Sequence, residues 1–134
     1  MSDLTLERVN EHVIQRAVIP LADGERIAGA ILKDDGTVDY YLIKLPSTRA
    51  FLKYHDAVAH AVERGGRLPN QREACLLGGN LRDEIRIGAH WLLDDDPFDS
   101  DRALCFAFHF CGGLFDSCLK CHQLNVVVVR RFKF

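Results

Sequence analysis

The chain has no large excess of either charge and no long apolar run, and each absence excludes a class of protein. Its formal net charge is -2 over 134 residues, so the sequence gives no strong sign of nucleic-acid binding. No stretch approaches the roughly 18 consecutive apolar residues that suggest a membrane-spanning helix. The first residues also lack the basic start and apolar core of a signal peptide, so we expect a cytoplasmic protein.

Internal repeats, low-complexity tracts and linkers are absent as well, which predicts a single domain over residues 1–134. A chain of this length buries roughly two-thirds of its unfolded surface, enough for a core without disulfides. Hydrophobic residues make up 48% of the chain and charged residues 27%, as in ordinary globular proteins. The cysteine count of five is odd, and a reducing compartment would keep these residues as thiols unless a metal binds them.

The pattern of apolar residues predicts a helix at the start of the chain. Between Thr5 and Val18 the residues Leu6, Val9 and Val13 recur at helical spacing. We therefore expect an N-terminal helical segment, residues 1–22, in front of a core formed by residues 23–134.

A β-hairpin is predicted next. Two apolar runs, residues 26–33 and 38–45, flank the segment Asp34-Asp35-Gly36-Thr37. A glycine between two such runs can supply the positive φ that tight hairpin turns require.

The segment from Gly65 to Leu77 predicts the joint between two helices. The glycines and Pro69 end a first helix that starts near Phe51, and Asn70 with Glu73 forms the pattern of a capping box for a second helix over residues 71–82. Arg67, Arg72 and Glu73 could bind a small anion at this helix start, although capping and a local ion pair are the simpler interpretation.

The second half of the chain predicts strands. These are residues 89–93, residues 102–110, and a continuous apolar run over residues 126–132 that is typical of a central strand buried on both faces. A turn is expected at Gly112-Gly113. The predicted fold class is α+β, with a β-hairpin and two helices packed on a mainly antiparallel sheet.

Several residues between Ile27 and Phe132, close to four-fifths of the chain, form a pattern that resembles a known family. They are Asp35-Gly36, Asp39-Tyr40, Leu45-Pro46, Gly65 to Pro69 with Arg72-Glu73, Asn80-Leu81, Trp91, Phe110, Gly113 and Val129-Arg130-Arg131. The pattern resembles small phage and prophage proteins of unknown function that are related to the Lcl C-terminal domain. The resemblance implies a C-type-lectin-like fold for residues 23–134.

The sequence departs from that family in two strands. His90 to Leu93 replaces a polar segment that usually ends in two serines, and Phe106 to His109 replaces a segment with tryptophan and glutamine. Together with the lack of a recognisable catalytic set, this favours a non-enzymatic phage accessory protein that blocks a protein partner. A host defence complex is one such partner, which would make the protein an anti-CRISPR type of inhibitor. The alternative from the resemblance is a lectin-like module that binds a carbohydrate through Trp91.

The segment Asp94 to Asp101 carries five aspartates in eight residues. It lacks the glycine and the terminal glutamate of an EF-hand loop, so the open interpretations are a cation site, a solvated loop, or a surface that steers a basic partner. We predict a partner-binding surface, which comprises Trp91, Asp94, Asp95, Asp96, Phe98, Asp99, Asp101 and Phe115.

A cluster of cysteine and histidine residues follows. Cys111, Cys118, Cys121 and His122 could supply the ligands of a structural zinc ion, which is the alternative of a zinc-stabilised domain. A second CxxC pair is missing, so ordinary thiols are the competing interpretation. No other cofactor is predicted, and the oligomeric state is left open.

Overall fold

The computed structural model describes residues 10–14, 16–47, 49–109 and 112–133. Within these ranges the chain forms two α-helices, eight strands and one short 3₁₀ turn over Arg82–Glu84. The helices are α1 (Tyr54–Glu63) and α2 (Gln71–Asn80). The strands are β1 (Arg26–Leu32), β2 (Val38–Lys44), β3 (Phe51–Leu52), β4 (Gly88–Asp96), β5 (Asp99–His109), β6 (Gly112–Leu119), β7 (Leu124–Asn125) and β8 (Val129–Phe132).

The strands form two sheets. One has three strands in the order β1-β2-β8, and the other has five in the order β3-β7-β4-β5-β6. The pairing of β4 with β7 is parallel, whereas the other strand pairs of the described residues are antiparallel. The predicted α+β class with mainly antiparallel sheets is confirmed.

The predicted β1–β2 hairpin is present, and its turn chemistry explains why it forms. Gly36 has a φ of 86°, a left-handed conformation that favours glycine. The carboxylate of Asp35 accepts hydrogen bonds from the backbone amide of Thr37 at 2.9 Å and from its hydroxyl at 2.6 Å. The side chain therefore fixes the turn from within.

The joint between the helices also has the predicted form. Asn70 caps α2 by accepting a bond from the amide of Glu73 at 2.9 Å, and the Glu73 carboxylate accepts one from the amide of Asn70 at 2.9 Å. This is a complete capping box. Gly66 packs so closely on the backbone of Val129 that a side chain there would overlap the Val129 carbonyl oxygen.

The apolar run at residues 126–129 does not form the predicted central strand. Hydrogen-bonded strand structure begins only at Val129, and β8 pairs with β2 at the edge of the three-stranded sheet. The run is apolar because its side chains alternate between two hydrophobic clusters. Val127 and Val129 pack in one with Leu42 and Leu77, while Val126 and Val128 pack in the other with Tyr54 and Trp91. Burial on both faces is confirmed for residues 126–129, whereas the strand is shorter than predicted, covers Val129–Phe132 and lies at the sheet edge.

Other boundaries differ from the prediction as well. Phe51–Leu52 forms β3, so the first helix starts only at Tyr54, and α2 ends at Asn80. Residues 10–14 and 16–22 of the predicted N-terminal helical segment are not helical, and residues 1–9 and 15 lie outside the described residues.

Gly113 belongs to β6 and not to a turn. It lies opposite Phe108 in the ladder between β5 and β6. A side chain at Gly113 would overlap the ring of Phe106. The glycine is therefore needed for close packing of an aromatic ring and not for chain reversal.

Candidate protein-binding surface

The predicted acidic loop is the end of a long β-hairpin, which we call the hairpin tip (residues 94–101). Strand β4 runs to Asp96, Pro97 and Phe98 make the turn, and β5 starts at Asp99 opposite Asp96. The interpretation as a long loop is therefore wrong, because all five of its aspartates lie within β4 or β5. Phe98 is 95% exposed at the end of this hairpin.

Hydrogen bonds between residues two positions apart stabilise the hairpin tip. The Asp96 carboxylate accepts a bond from the amide of Phe98, and the Asp99 carboxylate accepts one from the amide of Asp101, both at 2.9 Å. The bond from Phe98 and a second one from the Ser117 hydroxyl hold the pKa of Asp96 below its ordinary value. The exposed ring of Phe98 is thus presented by an ordered turn.

Lys120, directly after β6, and Tyr54 at the start of α1 bind to the base of the hairpin tip. Lys120 pairs with Asp95 at 3.0 Å, and its amide donates to the carbonyl oxygen of Asp101 at 2.9 Å. Tyr54 at the start of α1 donates its hydroxyl to the carbonyl oxygen of Leu93. The base of the hairpin is therefore tied to the core at three points.

The hairpin ladder is irregular below the tip. Between the pairs Trp91↔Cys105 and Asp95↔Ala103, three residues of β4 lie against one residue of β5. Such bulges bend and twist a strand and re-aim its side chains. The acidic residues of the tip consequently follow a strongly distorted segment and not a flat ladder.

Trp91 does not belong to this surface, contrary to the prediction. It has no exposed area and donates its ring N–H to the carbonyl oxygen of Leu52 at 2.8 Å. Its ring packs edge-on against Tyr54, with ring centroids 5.4 Å apart. Trp91 is a core residue with its polar atom satisfied.

Phe115 is exposed but lies away from the hairpin tip. It is on β6 opposite Phe106, with ring centroids 4.7 Å apart. Phe106 lies seven positions after Asp99 in β5, which corresponds to roughly 20 Å along a strand. The structure therefore brings the five aspartates and Phe98 together and leaves Phe115 apart from them on β6.

The structure places the cysteine and histidine residues apart from the tip. Cys118 is half-buried on β6, whereas Cys121 and His122 are exposed in the turn that follows, and Cys111 lies outside the described residues. Among the described residues, no three His, Cys, Asp or Glu side chains form a group that could hold a metal ion. The zinc site that includes Cys111 stays a prediction.

Cys118 has a different partner from those predicted. Its side chain is hydrogen-bonded to Cys105, a buried thiol on the neighbouring strand β5. Burial, with the nearby Cys118 sulfur, raises the pKa of Cys105 to about 12. This keeps Cys105 as a neutral thiol, which behaves as a small hydrophobic residue.

At the helix joint, the predicted ion pair is present. The Glu73 carboxylate is fully buried and accepts bonds from both terminal nitrogens of Arg67, and from the Tyr40 hydroxyl at 2.6 Å. Arg131 completes the group at 3.4 Å, while Arg72 donates to the carbonyl oxygen of Leu32 at 3.0 Å. Glu73 fills the helix start, so the interpretation as capping and ion pairing is confirmed over the anion site.

Compared with protein-family models and with curated proteins, the chain matches none. The helices of the described residues are too short and too polar to cross a membrane.

Proposed function

We propose that this protein is a binding module whose hairpin tip docks onto a basic, partly apolar surface of another protein. The observation that carries the proposal is the 95% exposure of Phe98 at the centre of five aspartates. Large exposed aromatic residues are frequent anchors of protein interfaces, because a pocket on the partner removes them from water. Burial of a phenylalanine side chain contributes about 1.5–3 kcal/mol.

The charge of the tip indicates the chemistry of the partner. Residues 94–101 contain five aspartates and no lysine or arginine. Such a concentration of one charge accelerates association with an oppositely charged surface and disfavours acidic partners. The partner that fits is a protein with an apolar pocket ringed by lysine and arginine.

A bacterial defence complex is the partner class that we propose. RNA-guided nucleases hold their nucleic acid in positively charged channels, which are complementary to an acidic hairpin. The phage-type resemblance supports the same class and implies an anti-CRISPR type of inhibitor acting in the host cytoplasm. In this role the acidic tip would occupy a surface intended for phosphates.

The burial of Trp91 bears on the carbohydrate-binding alternative. That alternative relied on Trp91 to contact the sugar, and a fully buried ring offers no face to it. Loss of glycan binding after replacement of Trp91 would report on the core and not on a sugar site.

The test is a comparison of tip variants against one identified partner. Tagged protein is incubated with lysate of a bacterium that carries defence systems, each retained protein is identified by mass spectrometry, and its dissociation constant is measured with purified components. We expect Phe98→Ser to weaken binding at least about tenfold, equivalent to about 1.4 kcal/mol. The double variant Asp94→Asn/Asp99→Asn should also bind the partner more weakly, and the loss of affinity should be larger at low salt than at high salt.

The matched control is Leu114→Ser, which changes an exposed apolar residue outside the tip. It should leave the dissociation constant unchanged. A partner that binds the wild type and the Phe98 variant equally well, or the absence of any retained protein, would overturn the proposal.

A further inference from the structure

Lys44 is unusual because it is a buried lysine at the end of an apolar strand. It is 3% exposed and follows Leu42 and Ile43, which have no exposed area. Lysine is almost never fully buried unless it is paired, since its ammonium group loses hydration in the interior. The position therefore calls for a specific reason.

The amine of Lys44 is held against a serine. Its Nζ donates to Ser47 Oγ at 2.7 Å and to the carbonyl oxygen of Leu45 at 3.3 Å. Ser47 is exposed, and its hydroxyl donates to the backbone carbonyl of Glu84 at 3.4 Å. A buried amine is thus in contact with a hydroxyl that solvent and ligands can reach.

The surroundings make the amine easier to deprotonate than an ordinary lysine. Burial lowers the pKa of Lys44, and the positive charge of Arg26 acts in the same direction. Glu84 opposes this by Coulomb attraction, but its carboxylate is paired with Arg26 at 2.7 Å. A neutral amine can accept a proton, as a general base must.

A small cavity adjoins the pair. It has a volume of about 20 Å³ and is lined by Lys44, Ser47, Glu84, Arg86, His90 and Val127, among others. This volume is sufficient for about one water molecule, so a larger reactant would approach Ser47 from the solvent side. Arg86 is exposed and is one of the residues that line the cavity.

We propose that Ser47 and Lys44 form a serine–lysine pair in which Ser47 is a nucleophile for small acyl donors such as activated esters. Serine–lysine pairs are an established variant of nucleophilic catalysis, in which lysine replaces histidine as the base. The inference goes beyond the protein-binding proposal and does not depend on it, because the pair lies at the end of β2 in the three-stranded sheet and the hairpin tip belongs to the five-stranded sheet.

The proposed step is an acyl transfer to serine. Ser47 Oγ forms a bond to the carbonyl carbon of the ester, and the Oγ proton passes to the neutral Nζ of Lys44. The bond from the carbonyl carbon to the leaving oxygen then breaks, and Lys44 returns the proton to that oxygen. The products are the Ser47 acyl ester and a free alcohol.

The experiment uses a fluorophosphonate probe, which reports on the same nucleophile. Ser47 Oγ forms a bond to phosphorus, the bond from phosphorus to fluorine breaks, and the proton leaves through Lys44. Intact protein is incubated with the probe, and the labelled residue is identified by peptide mass spectrometry. We expect the wild type to be labelled at Ser47 and Ser47→Ala to lose this label. In Lys44→Gln the rate of labelling at Ser47 should be about 100-fold lower.

Ser100→Ala is the matched control, since Ser100 is an exposed serine on the hairpin tip. It should label at the wild-type rate. Labelling of Ser47 no faster than that of Ser100, or at an equal rate in folded Lys44→Gln, would overturn the proposal.

The pH dependence of the wild type provides a second measurement, which does not require the Lys44 variant to fold. The labelling rate should rise with pH and level off with a midpoint below about 10.4, the ordinary lysine value. Glu84, Arg26, Arg86 and His90 are the charged or titratable groups around the pair. A rate that follows hydroxide concentration without a plateau would count against Lys44 as the base.

Discussion

Arg67 and Glu73 form a bidentate ion pair in which the carboxylate is completely buried and the guanidinium remains partly exposed. Burial alone would raise the pKa of Glu73, but the bonds from Arg67, Tyr40 and the Asn70 amide outweigh it and lower the pKa. One carboxylate thus caps α2, joins β2 to the helix joint and neutralises Arg67.

Replacement of Glu73 by glutamine should strongly destabilise the protein. The variant leaves the guanidinium of Arg67 without its counter-charge, and the loss of one partner of a buried ion pair costs about 3–5 kcal/mol. Urea unfolding at neutral pH measures this difference. Glu63→Gln, at an exposed glutamate at the end of α1, should change the free energy of unfolding by less than about 0.5 kcal/mol.

His90 should make the protein less stable below neutral pH. Burial lowers the pKa of His90 to about 4, whereas an unfolded histidine titrates near 6.5. Between these values the unfolded chain binds a proton that the folded protein does not, so stability falls as the pH is lowered from about 6.5 to 4.

The loss due to His90 should reach about 3 kcal/mol at pH 4. Urea titrations at several pH values would measure it, with His90→Gln as the comparison. The variant is less stable at pH 7 but should show a smaller decrease between pH 7 and 4. Parallel pH profiles for the two proteins would contradict the role of His90.

Two glycine-to-alanine changes should have opposite effects. A Cβ at Gly66 would overlap the carbonyl oxygen of Val129, whereas a Cβ at Gly79 in α2 has no neighbour within 4 Å. We expect Gly66→Ala to lower the free energy of unfolding by about 1–3 kcal/mol. Gly79→Ala should raise it by up to about 1 kcal/mol, since alanine is the better helix former. Thermal unfolding of both variants tests the pair.

Replacing the buried Trp91 and replacing the exposed Phe98 should have very different effects on stability. Trp91→Ala removes a fully buried side chain and should cost about 3–5 kcal/mol of stability. Phe98→Ala should leave the free energy of unfolding within about 0.5 kcal/mol, because the ring is almost entirely exposed. Chemical denaturation of both variants gives the result, and a large loss in Phe98→Ala would show that the tip is part of the core.

Local signals predicted the local structure well. The β1–β2 turn and the capping box at Asn70 depend on contacts between residues two or three positions apart, which the sequence displays directly. The sequence predicts a loop where the acidic tip forms paired strands. Aspartate has a low β-propensity, and the pairing of Asp96 with Asp99 depends on the neighbouring strands.

Residues far apart in the chain account for what the sequence did not show. The sequence does not reveal that Trp91 is buried, because its hydrogen-bond partner Leu52 is 39 positions away in the chain. The contact between Lys44 and Ser47 does have a local signal, namely a lysine within an apolar strand and a serine three positions later. The burial of Lys44, however, involves residues distant in the chain, since His90 and Val127 line the same small cavity, and no local pattern reveals this.

The alternating valines of residues 126–129 tie the two hydrophobic clusters together mechanically. Val128 accepts a bond from the amide of Leu45 at 2.9 Å, and Val129 exchanges two bonds with Arg67, each at 2.9 Å. When either cluster opens, residues 126–129 lose the side-chain contacts on that face. The segment is then less firmly fixed, so its contacts with the other cluster weaken as well. The two sheets should therefore unfold in a single cooperative transition, with the amides of Leu45 and Val129 exchanging their hydrogens at the same rate as the whole molecule opens.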